Sequence, residues 1–397
     1  MLTTLPETQE WVQHELGLQI TLGAALSATR GYGAPEVETA YTRAYELSQH
    51  VGDALQMLPV LWGLWYFAAG RTEYARAQAL GEHLWQMGQR LQDAILRLEG
   101  HTALGVTLLF LGEVAQARWH LEQSVALYDP QHRALAFLYG IDYGLLGHVC
   151  LGWQQLVQGY PSQGLQHSEA ALRLAQEVAH PYTLASILTD AAFVYMWRRE
   201  VQPTRDQTET VSALATEQGF TLRAAHSALL HGWALVMQGE ADGGLAQIRQ
   251  ALSAIQATGA ASGQSFFLSL FAEACEHAGQ IEEGLHAVEE ARAHVDRTGE
   301  RWWEAELYRL KGELLLQQAA ESGDEAEACL HQALAVARGQ GARWWELRAA
   351  MSLARLWQGQ GKHAEARQLL APIYNWFTEG FDTADLQEAK ALLDELA

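Results

Sequence analysis

The sequence has few of the residues that build disulfide frameworks, zinc sites or membrane spans. Its three cysteines, Cys150, Cys275 and Cys329, lie in different segments without a CxxC pair, which indicates a reducing compartment and excludes a thiolate zinc site. No uncharged apolar run reaches the roughly 18 residues that a transmembrane helix needs. Residues 1–10 also lack the basic start and apolar stretch of a secretory signal. We therefore predict a cytoplasmic protein without a membrane span.

Basic residues are also scarce. Lysine and arginine total 26 against 47 aspartates and glutamates, so the formal net charge is −21 with histidine neutral. A surface of this average charge repels phosphate backbones and anionic lipid head groups, and we predict neither nucleic-acid binding nor membrane binding. Charged residues make up 18% and apolar residues 49% of the chain, a composition that excludes disorder and fits helices buried on two sides.

The signatures of common catalytic sites are absent. The chain has no phosphate-binding GxxxxGKS or GxxxxGKT loop, no GxSxG and no HExxH, and Gly361-Lys362 is followed by His363. Its 16 histidines are scattered, and His226 and His231 stand five residues apart on one predicted helix, which directs them to different faces. We expect no catalytic residue, no metal and no cofactor.

What the sequence does contain is a repeat. The string RWWE occurs at 301–304 and again at 343–346, 42 residues later (343 − 301), and each copy opens a segment with helical spacing of apolar residues. A small residue flanked by large apolar ones recurs with a period of about 40 residues along the whole chain, which is typical of a solenoid of stacked helix pairs. These anchor residues are Gly23, Gly63, Gly105, Gly152, Ala192, Gly232, Ala272, Gly312 and Ala354.

Two further sets of small residues divide each repeat into two helices. Seven residues after the anchor, six repeats have a glycine, which suits the left-handed conformation at a helix C-terminus. Twelve residues after the anchor, a second small residue opens the next helix in most repeats, so that two backbones can approach closely. We name the two helices of a repeat helix A and helix B. The six glycines are Gly70, Gly112, Gly159, Gly239, Gly279 and Gly361.

The pattern predicts an all-α fold, a right-handed α-solenoid of about nine tetratricopeptide (TPR)-like helix-turn-helix repeats with a C-terminal capping helix. We expect residues 1–397 to form a single superhelical domain, because in a solenoid each repeat touches its neighbours and no common core limits its length. The predicted repeats are approximately 11–50, 54–90, 94–128, 144–178, 182–218, 221–258, 262–298, 301–339 and 343–378, with the cap at 383–397.

Two places depart from the regular period. Residues 1–15 look like the continuation of a helix already under way, so we expect either a short cap or a cut from a longer polypeptide. The first repeat would then be an uncapped end through which a second copy of the chain can bind. The third and fourth anchors are 47 residues apart, which places an insertion at 128–144. Insertions in solenoids often carry function, although a plain extended helix or loop is the alternative.

The concave surface is expected to carry the binding site. The A helices should line it, with the positions one and four after each anchor facing inward, and the resulting groove is aromatic in its middle and charged toward its C-terminal end. Such a surface is typical of one that binds a peptide, a helix or an apolar ligand. The alternative is a tight superhelix that buries these side chains against its own next turn. The predicted binding residues are Leu64, Phe67, Leu109, Trp153, Leu156, Phe193, Met196, Trp233, Arg309, Arg348 and Arg355.

Two groups of side chains in this C-terminal part have alternative interpretations. Arg309, Arg348 and Arg355 would recognise an acidic tail or a carboxylate, unless they pair with nearby glutamates. The doubled tryptophans at 302–303 and 344–345 are interpreted as core packing in preference to ligand contacts.

Several strings resemble a known repeat region. YRLKGELLL at 308–316, ELRAAMSLARLW at 346–357 and LAPIYNWFTEGFDTADL at 370–386 look like the C-terminal TPR region of bacterial predicted ATPases. Many of these are fused to adenylate/guanylate cyclase or kinase domains, and the region is similar to the MalT-like repeat domain of signal-transduction ATPases. In that family the nucleotide chemistry lies N-terminal to the repeats. The resemblance therefore implies a sensor or docking role and carries over no catalytic residue.

We therefore predict a TPR-type scaffold that binds a protein or peptide in its concave groove, or the regulatory sensor region of a bacterial signalling ATPase/cyclase system, without catalytic activity of its own. An ATPase or cyclase module is one candidate partner. The alternative is a solenoid that senses a small molecule in the aromatic centre of the groove near Trp153, Phe193 and Trp233. A compact pocket that excludes water would favour the small molecule, and an open, continuous groove would favour the partner.

Overall fold

The structure is a computed structural model that describes residues 9–51, 54–318 and 322–397. Within these ranges the regular elements are helices and no strand occurs. The first eight residues, where the sequence indicated a helix already under way, lie outside the described residues. In the same ranges, no helix combines the length and the apolar character that crossing a bilayer requires.

Apart from one short helix in an insertion, the described helices form nine A/B pairs and one final helix, which confirms the all-α, TPR-like solenoid. A 3₁₀ turn (Pro130–Leu135) and a short helix, α7 (Ala136–Tyr139), occupy the insertion after the third pair, and α20 (Ala384–Glu395) follows the ninth pair. The A helices are α1 (Gln9–Arg30), α3 (Ala54–Gly70), α5 (Ala94–Phe110), α8 (Tyr143–Val157), α10 (Pro181–Trp197), α12 (Thr221–Met237), α14 (Gln264–His277), α16 (Glu304–Gln318) and α18 (Arg343–Gly359). The B helices are α2 (Pro35–Val51), α4 (Tyr74–Leu91), α6 (Val114–Leu127), α9 (Pro161–Val178), α11 (Val201–Gln218), α13 (Ala241–Ala257), α15 (Ile281–Thr298), α17 (Gly323–Gln340) and α19 (His363–Tyr374).

The small residues bring the two helices of a pair into close contact, as the repeat predicted. A Cβ atom added to Gly244 would lie 2.5 Å from the carbonyl oxygen of Gly232, and one added to Gly232 would lie 2.8 Å from the carbonyl oxygen of Gly244. The same reciprocal approach joins Gly152 and Gly164 in the fourth pair. These distances exclude any side chain, so the anchors Gly152 and Gly232 are required by backbone contact between helix A and helix B.

The second repeat differs from the predicted register by two residues. The left-handed residue that ends its helix A is Thr72, with φ of 61°, where the next repeat has Gly112 with φ of 80°. Thr72 and Gly112 are 40 residues apart, so the residue equivalent to the anchor Gly105 is Trp65 and not Gly63. Gly70 is needed for a different reason, since a Cβ atom there would lie 2.2 Å from the ring of Tyr32.

The superhelix is tight enough for its turns to touch. The backbone N–H of Ala261, between the sixth and seventh pairs, donates to the carbonyl oxygen of Gly70 in the second pair at 2.8 Å. The same contact recurs one repeat later in each turn, where the N–H of Arg301 donates to the carbonyl oxygen of Phe110 at 2.9 Å. We call these contacts between successive superhelical turns the seam. Because of the seam, the concave surface is enclosed and does not form an open groove.

The seam extends to both ends of the described chain. Near its start, the hydroxyl of Thr221 donates to the carbonyl oxygen of Thr29 at 2.8 Å. Near its end, the guanidinium of Arg198 donates to Asp382 at 2.8 Å, just before α20. The capping helix is thus held both by the ninth pair and by the superhelical turn beside it.

A buried carboxylate lies at the centre of the seam. Glu300, which is fully buried between α15 and α16, accepts hydrogen bonds from the Tyr74 hydroxyl at 2.7 Å and from the N–H of Gly263 at 2.8 Å. It also accepts from the N–H and the hydroxyl of Ser265. Burial, together with the Glu300 charge, raises the pKa of Tyr74 well above its usual value, so this phenol remains a donor. One carboxylate therefore joins the second, seventh and eighth pairs.

Candidate ligand-binding cavity

The A helices enclose a central cavity with predominantly aromatic walls. Its volume is about 90 Å³. The cavity is therefore compact, and its polar groups are few and concentrated on one side. Its aromatic walls are formed by Tyr32, Trp65, Tyr66, Phe110, Trp153, Phe193, Phe266, Phe267 and Trp302.

The repeat pattern explains how the walls are assembled. With the corrected register of the second repeat, the positions one after the anchor are Tyr66, Val106, Trp153 and Phe193 in the second to fifth pairs, and all four line the cavity. In the later pairs the residues at the equivalent position line neighbouring inner clefts. These residues are Trp233, Glu273, Glu313 and Arg355. The side chains at this position therefore line the interior of the coil in these repeats.

An ion pair forms the polar side of the cavity. The Arg223 guanidinium donates to the Asp190 carboxylate at 3.3 Å and to the Tyr66 hydroxyl at 3.1 Å, and its Nε–H has no acceptor in the described part of the chain. Burial raises the pKa of Asp190 to about 6 in spite of the neighbouring guanidinium. Burial also opposes the charge on Arg223, but Asp190 and Tyr66 hold the pKa of Arg223 well above its usual value. The arginine therefore stays charged inside an apolar enclosure.

A neutral histidine lies beside this ion pair. His226 is 4% exposed, packs against the ring of Phe267 with a centroid distance of 5.0 Å, and follows Arg223 by three residues on α12. Burial, reinforced by the charge of Arg223, lowers the pKa of His226 to about 3. Among the described residues, neither ring nitrogen has a hydrogen-bond partner. An uncharged donor and an uncharged acceptor therefore lie buried beside the cavity without a partner.

His226 should lower the stability of the ligand-free protein. Burying a polar group without a partner costs about 1–3 kcal/mol, so we expect His226→Leu to raise the free energy of unfolding by about 1–2 kcal/mol. Thermal unfolding of the purified chain measures this change. The matched control is His231→Leu on the same helix, because His231 is half-buried and lies 3.3 Å from the side chain of Gln247. A melting temperature that falls in His226→Leu as much as in the control would contradict the prediction.

The structure separates the predicted groove residues into several groups. Trp153 and Phe193 line the central cavity, whereas Met196 and Trp233 line the adjoining inner cleft, where the Trp233 indole donates to Glu273 at 2.9 Å. The remaining four pack inside the solenoid: Leu109 and Leu156 are buried in the main core, and Leu64 and Phe67 belong to a separate core cluster with the first pair. The two-residue register difference accounts for Leu64 and Phe67.

The three predicted arginines line a second inner cleft, and each is paired with an acidic side chain. Arg309, 5% exposed, contacts Glu306 and Glu313. Arg348 contacts Glu306 at 3.0 Å, and Arg355 contacts Glu388 at 2.8 Å. Pairing with nearby glutamates, the alternative that the sequence left open, describes what these arginines do in the structure. Arg309 and Arg348 are thus neutralised in the largely buried part of the cleft, whereas the pair of Arg355 and Glu388 lies at its exposed rim.

The doubled tryptophans are buried. Trp344 and Trp345 are fully buried, and Trp302 and Trp303 are at most 4% exposed. Trp303 contacts Trp345 with ring centroids 4.5 Å apart, so the two RWWE strings meet in one aromatic cluster. Trp302 additionally reaches the central cavity.

Sequence reasoning missed the polar residues of the cavity. The prediction concerned positions after each anchor, but these polar residues come before it. Asp190 lies two residues before Ala192, and Arg223 and His226 lie nine and six residues before Gly232. A signal was present, because Asp190 and Arg223 are charged at positions where the other complete repeats have uncharged residues. In the described ranges, no group of three or more His, Cys, Asp or Glu side chains is arranged to hold a metal ion.

The fold and the cavity define a TPR-like α-solenoid with an enclosed, aromatic-walled interior. No protein-family model matches the chain. An uncharacterized protein of Rhizobium meliloti (strain 1021) is similar to it, with 24% identity over 345 residues. The match covers 84% of this chain and 33% of that protein, so the chain spans a third of the length of this relative.

Solved structures share the fold at low sequence identity. A Rap protein complexed with Competence and Sporulation Factor has a TM-score of 0.54 and 12% identity, and the match covers 85% of this chain and 96% of that one. The Rap conjugation gene regulator of plasmid pLS20, in complex with the Phr* peptide, has a TM-score of 0.53 and 10% identity, with 96% and 95% covered. At this level of identity the likeness concerns the fold.

Proposed function

We propose that this chain is a regulatory binding module that holds one compact ligand in its central cavity and has no catalytic activity of its own. The observation that carries the proposal is the cavity itself, which combines aromatic walls with a buried arginine and a buried histidine that have unused hydrogen-bonding groups. Ligand sites in proteins are concave, mostly apolar and equipped with a few convergent polar groups. The seam supports this proposal over an open peptide groove, because it encloses the inner face.

Filling the cavity should abolish ligand binding without harming the fold. Ala69 lines the cavity from α3, so the larger side chain of Ala69→Leu would occupy space that the ligand needs. We expect compounds from a metabolite panel to raise the melting temperature of the wild-type chain saturably and to have no effect on Ala69→Leu. The matched control is Ala79→Leu on an exposed face of α4, which should respond like the wild type. A ligand that stabilises all three proteins equally would refute the proposal.

A protein or peptide partner is the second candidate function. It is supported by the two solved structures described above, one of which is a complex with the Phr* peptide. In this chain such a partner would bind the outer surface or would require the seam to open. The same variants distinguish the two candidates, since a partner that is retained with equal affinity by Ala69→Leu does not occupy the cavity.

The wider context that we propose is a larger signalling protein. The relative from Rhizobium meliloti is about three times as long as the matched region, and the resemblance to repeat regions of bacterial predicted ATPases suggests an ATPase or cyclase module as the part that is regulated. Leu18 and Leu22 on α1 are 56% and 48% exposed, which supports the first pair as the surface for such a module or for a second copy. Sedimentation of the purified chain tests the second copy, and a concentration-independent monomer would exclude it.

A further inference from the structure

We propose that the ligand of the central cavity is a small carboxylate with a flat apolar body, held through its carboxylate by Arg223. This inference rests on the proposed function, because it names the chemistry of the ligand for the same cavity. Three features of the cavity support it: the unused donors of Arg223, the neighbouring His226 and the aromatic walls.

Arg223 has N–H groups that no protein acceptor in the described part of the chain uses. A guanidinium carries five N–H groups in a planar fork that matches the two oxygens of a carboxylate. The structure uses the two terminal nitrogens for single contacts to Asp190 and Tyr66, and the buried Nε–H has no acceptor among the described residues. The Nε atom itself has almost no exposed surface, so a ligand oxygen would supply that acceptor after a small shift of the guanidinium toward the cavity. A cationic ligand, by contrast, would meet the fixed positive charge of Arg223 in a medium of low dielectric constant.

His226 lies on the same face of α12, one helical turn after Arg223. Its ring is neutral, so one nitrogen carries a proton and can donate to the second carboxylate oxygen. A single helix therefore places two unpartnered side chains beside the cavity, and small shifts of both would give donors for the two oxygens of one carboxylate. A phosphate ester would bring two negative charges to a site with one guanidinium that already faces Asp190, so a monoanion fits the charge balance better.

The walls define the rest of the ligand. Trp153 contacts Phe193 at a centroid distance of 5.5 Å in an edge-to-face arrangement, and Phe266 contacts Phe193 in the same way at 5.2 Å. Such walls present flat apolar surfaces that pack well against a planar group. We therefore infer a ligand whose body is an aromatic or similarly flat ring.

Asp190 should take up a proton when the ligand binds. The ligand brings a second negative charge to Arg223, and the pKa of Asp190 is already raised to about 6 by burial, so protonation of Asp190 restores the balance. His226 does not compete for this proton, because its pKa is lowered to about 3. Burial keeps the pKa values of the neighbouring Tyr32, Tyr66 and Cys150 above their usual values, so these groups stay protonated. The titratable and charged groups that face Asp190 are Arg223 and His226 from α12, Tyr66 from α3, Cys150 from α8, Tyr32 from the turn before α2, and Tyr182 from α10 itself.

The test is calorimetric titration of the full chain with a panel of one- and two-ring aryl carboxylates, including phenylacetate and 2-naphthoate, and with the primary amide of each acid. We expect an acid to bind at least tenfold more tightly than its amide, and Arg223→Gln to weaken the acid by about tenfold or more. Above pH 6 the affinity should fall by about tenfold for each pH unit, because one proton is bound with the ligand. Asp190→Asn, which cannot titrate, should remove this pH dependence.

The possible results separate the two levels of the proposal. If an amide binds as tightly as its acid and is blocked by Ala69→Leu, the cavity binds ligands but the carboxylate inference is wrong. If no acid and no amide of the panel binds, but a compound of the metabolite panel stabilises the wild type and not Ala69→Leu, the carboxylate inference fails and the compact-ligand function stands. If neither panel contains a binder, both fail. Should Arg223→Gln not fold, Arg223→Lys keeps the charge without the Nε–H fork, and an unchanged affinity in that variant or an unchanged pH profile in Asp190→Asn would overturn the inference.

Discussion

Replacing Glu300 with alanine is expected to lower the free energy of unfolding by about 3–5 kcal/mol. The change removes the acceptor for the Tyr74 hydroxyl, for the backbone N–H groups of Gly263 and Ser265 and for the Ser265 hydroxyl. These donors lie in the seam, where water cannot replace the lost oxygens without opening the contact. Urea unfolding followed by circular dichroism measures the difference.

Two variants make this expectation specific. Glu300→Gln keeps one carbonyl acceptor but turns an N–H₂ group toward other donors, so its loss should be intermediate. Glu290→Ala removes an exposed glutamate from α15 and should change stability by less than about 0.5 kcal/mol. If Glu300→Ala unfolds at the same urea concentration as Glu290→Ala, the carboxylate does not hold the seam together.

Removing Asp190 alone is expected to destabilise the protein by about 3–5 kcal/mol at pH 7, because Asp190→Ala leaves the buried guanidinium of Arg223 without its counter-charge. Adding Arg223→Met to Asp190→Ala should recover most of this loss, since a buried ion pair replaced by apolar side chains is often neutral or stabilising. Thermal and urea unfolding of the single and double variants measure both effects. A double variant that is less stable than Asp190→Ala would contradict this account.

An exposed ion pair provides the matched control. Arg249 and Glu283 approach to 2.6 Å, closer than the buried pair, but their side chains are 43% and 41% exposed. Water and salt screen this pair, so Glu283→Ala should cost no more than about 1 kcal/mol. The comparison tests burial as the cause, because the shorter contact is expected to have the smaller effect.

The regular part of the fold was predictable because its determinants are local. Glycine at a helix C-terminus and small residues at a helix contact act within one repeat, and Gly232 and Gly244 show both the spacing and the contact that the sequence indicated. The register of the second repeat was not predictable, because Gly63 is a small residue that makes room for a different neighbour. A Cβ atom there would lie 2.2 Å from the ring of Tyr41 in the first pair. A small residue marks a close approach, but the sequence does not say to which neighbour.

The closed interior was not predictable from the same pattern. The pitch of a solenoid follows from a small rotation per repeat, and small differences in that rotation decide whether successive turns touch. The polar side of the cavity was, in principle, detectable. Asp190 stands where equivalent repeat positions have Ala103, Cys150 and Leu230, and a lone charge at a position that is otherwise uncharged is typical of a site.

The seam changes how this chain behaves as a repeat protein. In an open array each repeat contacts only the next, and such arrays can lose their terminal repeats one at a time. Here the hydroxyls of Tyr32 and Ser262 lie 3.3 Å apart although 230 residues separate them along the chain. Contacts of such large sequence separation make folding slow and unfolding cooperative. They also tie the shape of the inner cavity to the positions of the outer helices, so a partner that displaced those helices would alter the cavity without touching a ligand in it.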